Sequence, residues 1–185
     1  MVPATLFLGR DGELAALHEL LADPACRLLT LHGMGGVGAA EACEPATQAL
    51  DMALYDGHML PALDARIVLA QAATELGDND KAIEHLLIVL ESASQHQFTN
   101  VLADAILCTA RLAVATRPAL HAVAIEWARE IAESNEVSTS IRRDAADFFQ
   151  AHPGAAPTLA TGEARGLAGL AEDASKVLRD MGSVL

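Results

Sequence analysis

A chain of 185 residues is long enough for one domain, or for one domain with an appendage. Its 25 acidic against 12 basic side chains leave a formal charge of −13. That balance argues against direct binding of nucleic acid or of an anionic membrane surface, since both need Lys and Arg. Hydrophobic residues make up 52% but aromatics only 3%, and this alanine- and leucine-rich mix favours helices over a β-sandwich.

The chain opens with FLGR (Phe7 to Arg10) and then DGELAALHELLADP. Leu14, Leu17, Leu20 and Leu21 fall at helical spacing, Asp11 can cap the start, and Pro24 marks the end. CRLLTLHG reads as a short strand, and Gly33 to Gly38 as a glycine-rich turn. From Pro45 the pattern becomes helix after helix. One face should hold Ala46, Leu50, Ala53 and Leu54, and the next Leu63, Ile67, Ala70 and Ala73 or Thr74, stopping at Gly77. Asp80 is the expected cap of a third helix with Ile83, Leu86, Leu87 and Leu90 on its apolar face.

Leu102, Ala105, Ile106, Ala110 and Ala113 mark a fourth helix. Pro118 opens a fifth with Val123, Trp127 and Ile131, and Ile141, Ala145, Phe148 and Phe149 mark a sixth. HPGAAPTLATG reads as a linker. Glu163 to Leu185 then forms an amphipathic helix, with Leu167, Leu170, Ala174, Val177, Leu178 and Met181 on one stripe. Short turns between such helices make antiparallel neighbours. The expected organisation is an N-terminal segment 1–44, a helical array 45–152, and a linker with capping helix 153–185.

An offset of 36 residues carries Ala46, Leu50 and Ala53 onto Ala82, Leu86 and Val89. Residues 69–89 also follow the small–large spacing of a tetratricopeptide unit, whose period is about 34 residues. Residues 45–150 therefore resemble tetratricopeptide repeats, one clear and the others degenerate. The resemblance implies an all-α fold of antiparallel helix pairs in a right-handed superhelix. A short helix–strand remnant would precede it. A plain antiparallel bundle is the alternative.

The run Gly33-Met34-Gly35-Gly36-Val37-Gly38 meets the glycine spacing of a phosphate loop. The next two residues should be Lys and Ser or Thr, but they are Ala39 and Ala40. The lysine would neutralise the β/γ-phosphates and the hydroxyl would hold Mg²⁺. With both missing, only backbone N–H groups remain to contact a phosphate.

FLGRDGELAALHELLADPACRLLTLHGMGGVG resembles the opening of the nucleotide-binding domain of STAND-type signalling ATPases, whose bacterial members include transcriptional regulators with tetratricopeptide tails. The resemblance implies that Arg10 lies near the adenine and that Gly33, Gly35, Gly36, Val37 and Gly38 surround phosphates. The departures remove the catalytic lysine, the metal hydroxyl, the acidic metal strand and the sensor residues. ATP or ADP is thus expected to bind weakly if at all, without hydrolysis. Neither a catalytic residue nor a metal ligand is expected.

Seven histidines are scattered without paired ligand spacing. Cys26, Cys43 and Cys108 form no disulfide framework or CxxC site. Cys108, Trp127 and the Phe148–Phe149 pair read as core. The expected protein is a cytoplasmic, non-catalytic interaction module. Its helical-array face would hold a protein or peptide, with self-association open to it. A degenerate nucleotide binder is the alternative.

Overall fold

The computed structural model describes residues 39–152 and 166–183, all within one unit, Gly36–Leu185. The helix expected after Asp11, the strand at 27–31, the glycine loop at 33–38 and the linker at 153–162 lie outside the described residues.

Left-handed backbone recurs at a fixed interval and sets the architecture. Gly57, Gly77 and Gln97, each 20 residues after the last, have φ of 71°, 77° and 56°. At each turn the next amide reaches back to a buried alanine. His58 N donates to Ala53 O at 2.8 Å, Asp78 N to Ala73 O at 2.8 Å, and Phe98 N to Ala93 O at 2.9 Å. This bond satisfies a carbonyl that the helix end would otherwise orphan, and the left-handed residue reverses the chain. Glycine adopts that conformation freely, whereas Gln97 bears a Cβ clash worth about 1–2 kcal/mol. Gln97→Gly should therefore stabilise the chain by roughly 1 kcal/mol, and Gly77→Ala should cost about as much. Urea midpoints check both.

The described residues form seven α-helices: α1 Ala39–Tyr55, α2 Met59–Leu76, α3 Asn79–Gln95, α4 Thr99–Thr116, α5 His121–Glu133, α6 Thr139–Ala151 and α7 Gly166–Gly182. A short 3₁₀ turn, Pro118–Leu120, precedes α5. Each helix from α2 to α6 packs on its predecessor, and the tight turns oblige such neighbours to run antiparallel.

Beyond these sequential contacts, α4 packs against α2 and α6, and α7 packs against α3, α4 and, more lightly, α5. Among the described elements, α3 and α5 do not touch each other. The helices therefore form two layers. One holds α2, α4 and α6; in the other, α7 fills the gap between α3 and α5, with α4 beneath it.

The main core follows from this enclosure of α4. Ala103, Ala105, Ile106, Leu107, Ala110, Leu112 and Ala113 are 0% exposed. They cluster with Leu86, Val89, Trp127, Ile131, Leu170 and Leu178. Thr109, also fully buried, is satisfied by donating to Ala105 O at 2.9 Å. Helix α4 is long and apolar enough by length and composition to cross a membrane, but 61% of it is buried inside this array. Arg117 closes α7 by donating from Nη2 to Asp180 O and Met181 O, both at 3.3 Å. A guanidinium there complements the negative end of the helix dipole. Helix α1 is different. Among the described helices it packs on α2 alone, through a separate small core of Ala46, Leu50, Ala53, Ala62, Ala65 and Leu69.

Several local expectations need correction. Pro45 does not open the first helix of the array; it lies inside α1, which begins at Ala39. The boundary drawn between residues 44 and 45 thus falls within a continuous helix. One absent amide hydrogen bond is tolerated there because Pro45 is solvent-exposed. Leu54 is 56% exposed and Phe149 40%, each one position off its helix's buried stripe. Asp78, not Asp80, caps α3 and accepts from Lys81 N. Pro118 starts the 3₁₀ turn, and α5 itself begins at His121.

The repeat also has a different register. Helix starts at 39, 59, 79 and 99 give 40 residues per pair, not 36. The four-residue error is about one helical turn, so it leaves every side chain on nearly the same face.

Candidate interaction surface

The 40-residue period puts the outward positions of α2 and α4 in register on the α2–α4–α6 layer, with the buried Cys108 between them. On α2 the line of positions runs Asp64, Val68, Gln71 and Glu75; on α4 it runs Asp104, Cys108, Arg111 and Ala115. Gln71 Nε2 donates to Cys108 Sγ at 3.2 Å, joining the two helices. Cys108 Sγ in turn lies 3.9 Å from Asp104 Oδ1, as a weak donor. At the other edge of α4, Asn100 Oδ1 accepts from Ser138 N at 2.8 Å, which ties in the start of α6. Partial burial pushes the Asp64 carboxyl above the ordinary aspartate range.

Cys108 is chemically quiet. Burial, with the nearby Asp104 charge, pushes its thiol from the ordinary 9.0 up to about 12, against the opposing hydrogen bond from Gln71. A thiol with a raised folded-state value stabilises the fold below its unfolded value and loses that contribution as pH climbs toward the folded one. Between pH 9 and 11 the chain should therefore lose more stability than Cys108→Ala does, by urea unfolding. Native Cys108 should also resist iodoacetamide near neutral pH, because the thiolate is the reacting form.

A second polar cluster lies on the opposite side of α2. Arg66 Nη1 donates to His85 Nδ1 on α3 at 3.2 Å, which fixes the ring as neutral with its proton on Nε2. Burial and then the Arg66 charge hold His85 below the usual histidine range. Lys81, one turn earlier on α3, pairs with Asp78 at 2.6 Å. The sequence did not disclose Arg66–His85, because the two become facing neighbours only once the helix spacing is known. Arg66 was nevertheless visible as the only basic residue of α2.

The α1–α2 corner carries exposed apolar side chains: Tyr55, Met52, Leu54, Leu60 and Met59. The aromatics expected in the core divide. Trp127 and Phe148 are buried and Phe149 is not. Trp127 Nε1 is buried without a hydrogen-bond partner among the described residues. His121 and His152 meet edge to face at 5.5 Å, with Phe148 beside His152 at 4.5 Å. Among the described residues no group of three His, Cys, Asp or Glu side chains could hold a metal.

Arg10, Gly33, Gly35, Gly36, Val37 and Gly38, the residues expected near a nucleotide, all lie outside the described residues. Ala39 and Ala40, which stand where a phosphate loop has its lysine and hydroxyl, are the first two residues of α1. No family model, curated protein or solved structure matches the chain.

Proposed function

We propose that the chain is a non-catalytic protein–protein interaction module, tetratricopeptide-like and related to bacterial STAND transcriptional regulators. Its helix pairs would stack in a right-handed superhelix in the cytoplasm, and the α2–α4–α6 face would hold a peptide or another subunit. The supporting observation is the 40-residue spacing of the helix pairs, which sets Asp64 and Asp104, and Gln71 and Arg111, at equivalent outer positions of α2 and α4. Stacked helix pairs each contribute a strip of such positions to one extended binding surface.

The test is co-purification with the full chain. A discrete partner protein should be retained by the native chain and lost by a Val68→Arg, Arg111→Glu variant with unchanged helical circular dichroism. Retention by that variant would take the site off this face. The absence of any co-purifying protein would contradict the module itself.

A second reading has one observation in its favour. The described residues open in helix at Ala39, and in the sequence the glycine run stands directly before it, the order that phosphate binding at a helix N-terminus uses. Titration with ATP and ADP separates the readings. Affinity tighter than about 10 µM would favour the nucleotide site, because the missing lysine and metal hydroxyl should remove most of the phosphate attraction.

A further inference from the structure

Helix starts 40, 40 and 42 residues apart make α1, α2 and α3 the counterparts of α3, α4 and α5. In the second set, α3 and α5 both pack on α4 without touching each other, and α7 fills the groove between them. In the first set, α1 and α3 both pack on α2, again without touching each other. Among the described residues nothing occupies that groove.

The difference is written in the lining. The counterpart of fully buried Ile106 is Arg66, and across the longer 42-residue offset from α3 to α5 that of buried Trp127 is His85. An apolar helix such as α7, whose stripe buries Leu167, Leu170, Ala174, Leu178 and Met181, suits Ile106. Laid over Arg66, the same stripe would strand a guanidinium against hydrocarbon. The other groups at the groove set its charge. Lys81 lies within electrostatic range of Cys43 on α1 across the gap but is paired with Asp78, and Glu84 beside His85 brings these charges to zero, so the local demand is that of the Arg66 guanidinium, which donates to His85 and makes no ion pair among the described residues. A carboxylate at the middle of an incoming stripe would supply what Arg66 needs, in the two-pronged geometry a guanidinium favours.

We propose that the groove between α1 and α3, carrying Arg66, Lys81 and His85, docks an amphipathic helix of another protein that brings a carboxylate to Arg66. The inference rests on the interaction-module reading but places this partner on the side opposite the α2–α4–α6 face. The internal α7 is the template for the mode: an apolar stripe laid into a groove between two helices.

The probe is a fluorescent peptide copying residues 166–183 with Ala174→Glu, compared with the unaltered peptide, each titrated against the full chain. Ala174 sits mid-stripe, as Arg66 sits mid-helix. The Glu peptide should bind, slow alkylation of Cys43 as read by mass spectrometry, and weaken with added salt. The unaltered peptide should bind roughly tenfold more weakly or worse. Arg66→Ile, which copies Ile106, should reverse the preference. Equal binding of the two peptides, or an unchanged preference in Arg66→Ile, would overturn the proposal. So would a bound peptide that leaves Cys43 alkylation unaltered. Failure of both peptides would also overturn it, and co-purification of a partner through the α2–α4–α6 face would then show that the module reading stands without this groove. Self-association lost in Arg66→Ile would replace the foreign partner with a second copy and likewise overturn it.

Discussion

Leu178→Asp should detach α7 and cost on the order of 4 kcal/mol or more in urea unfolding. Leu178 is 0% exposed and lies in the main core with Leu86, Ile106 and Leu170. The substitution removes packed hydrocarbon and buries a carboxyl with no partner, two mechanisms that head the list of severe losses. Binding of a dye that reports exposed apolar surface should rise in parallel, because the gap between α3 and α5 would open onto α4. A loss below about 1 kcal/mol would mean that α7 does not contribute to the core.

Trp127→Ala should cost about 3–5 kcal/mol, as expected for emptying the volume of the largest fully buried side chain. Trp127→Phe should behave very differently and stay within about 1 kcal/mol of the native chain. The indole N–H is buried without an acceptor among the described residues, so its removal relieves an unmet hydrogen bond and offsets part of the lost packing. Denaturant midpoints for the pair decide the matter. If the two substitutions cost the same, the indole nitrogen has an acceptor in solution.

The helical character of the described residues was legible because burial repeats with the helical period. Leu63, Ile67 and Ala70 on α2, and Leu102, Ala105, Ile106, Ala110 and Ala113 on α4, are buried as their spacing predicts. Gly77 was legible as a terminator because left-handed backbone favours glycine. Its equivalent Gln97 was not, since no residue preference marks a glutamine for that conformation. The wrong period had a related cause. Patterns of small and large residues report a helix face, and a slip of four residues barely rotates that face.

Capping showed the same degeneracy. Asp78 and Asp80 flank one residue, and either could start a helix on composition alone. The groove between α1 and α3 was invisible for another reason. It exists because two helices fail to touch, and a single chain of residues carries no signal for that. Once the period is known, the Ile106 to Arg66 exchange explains why α7 lies over one groove and not the other.

Hydrogen exchange followed by mass spectrometry tests most directly the claim that this is an array organised around α4. Exchange protection follows the local depth of packing. Helix α4 is enclosed by α2, α3, α5, α6 and α7, whereas α1, among the described helices, rests on α2 alone. The amides of residues 102–113 should exchange slowest of those in the seven helices, and those of α1 fastest. Protection in α1 equal to that in α4 would contradict the arrangement.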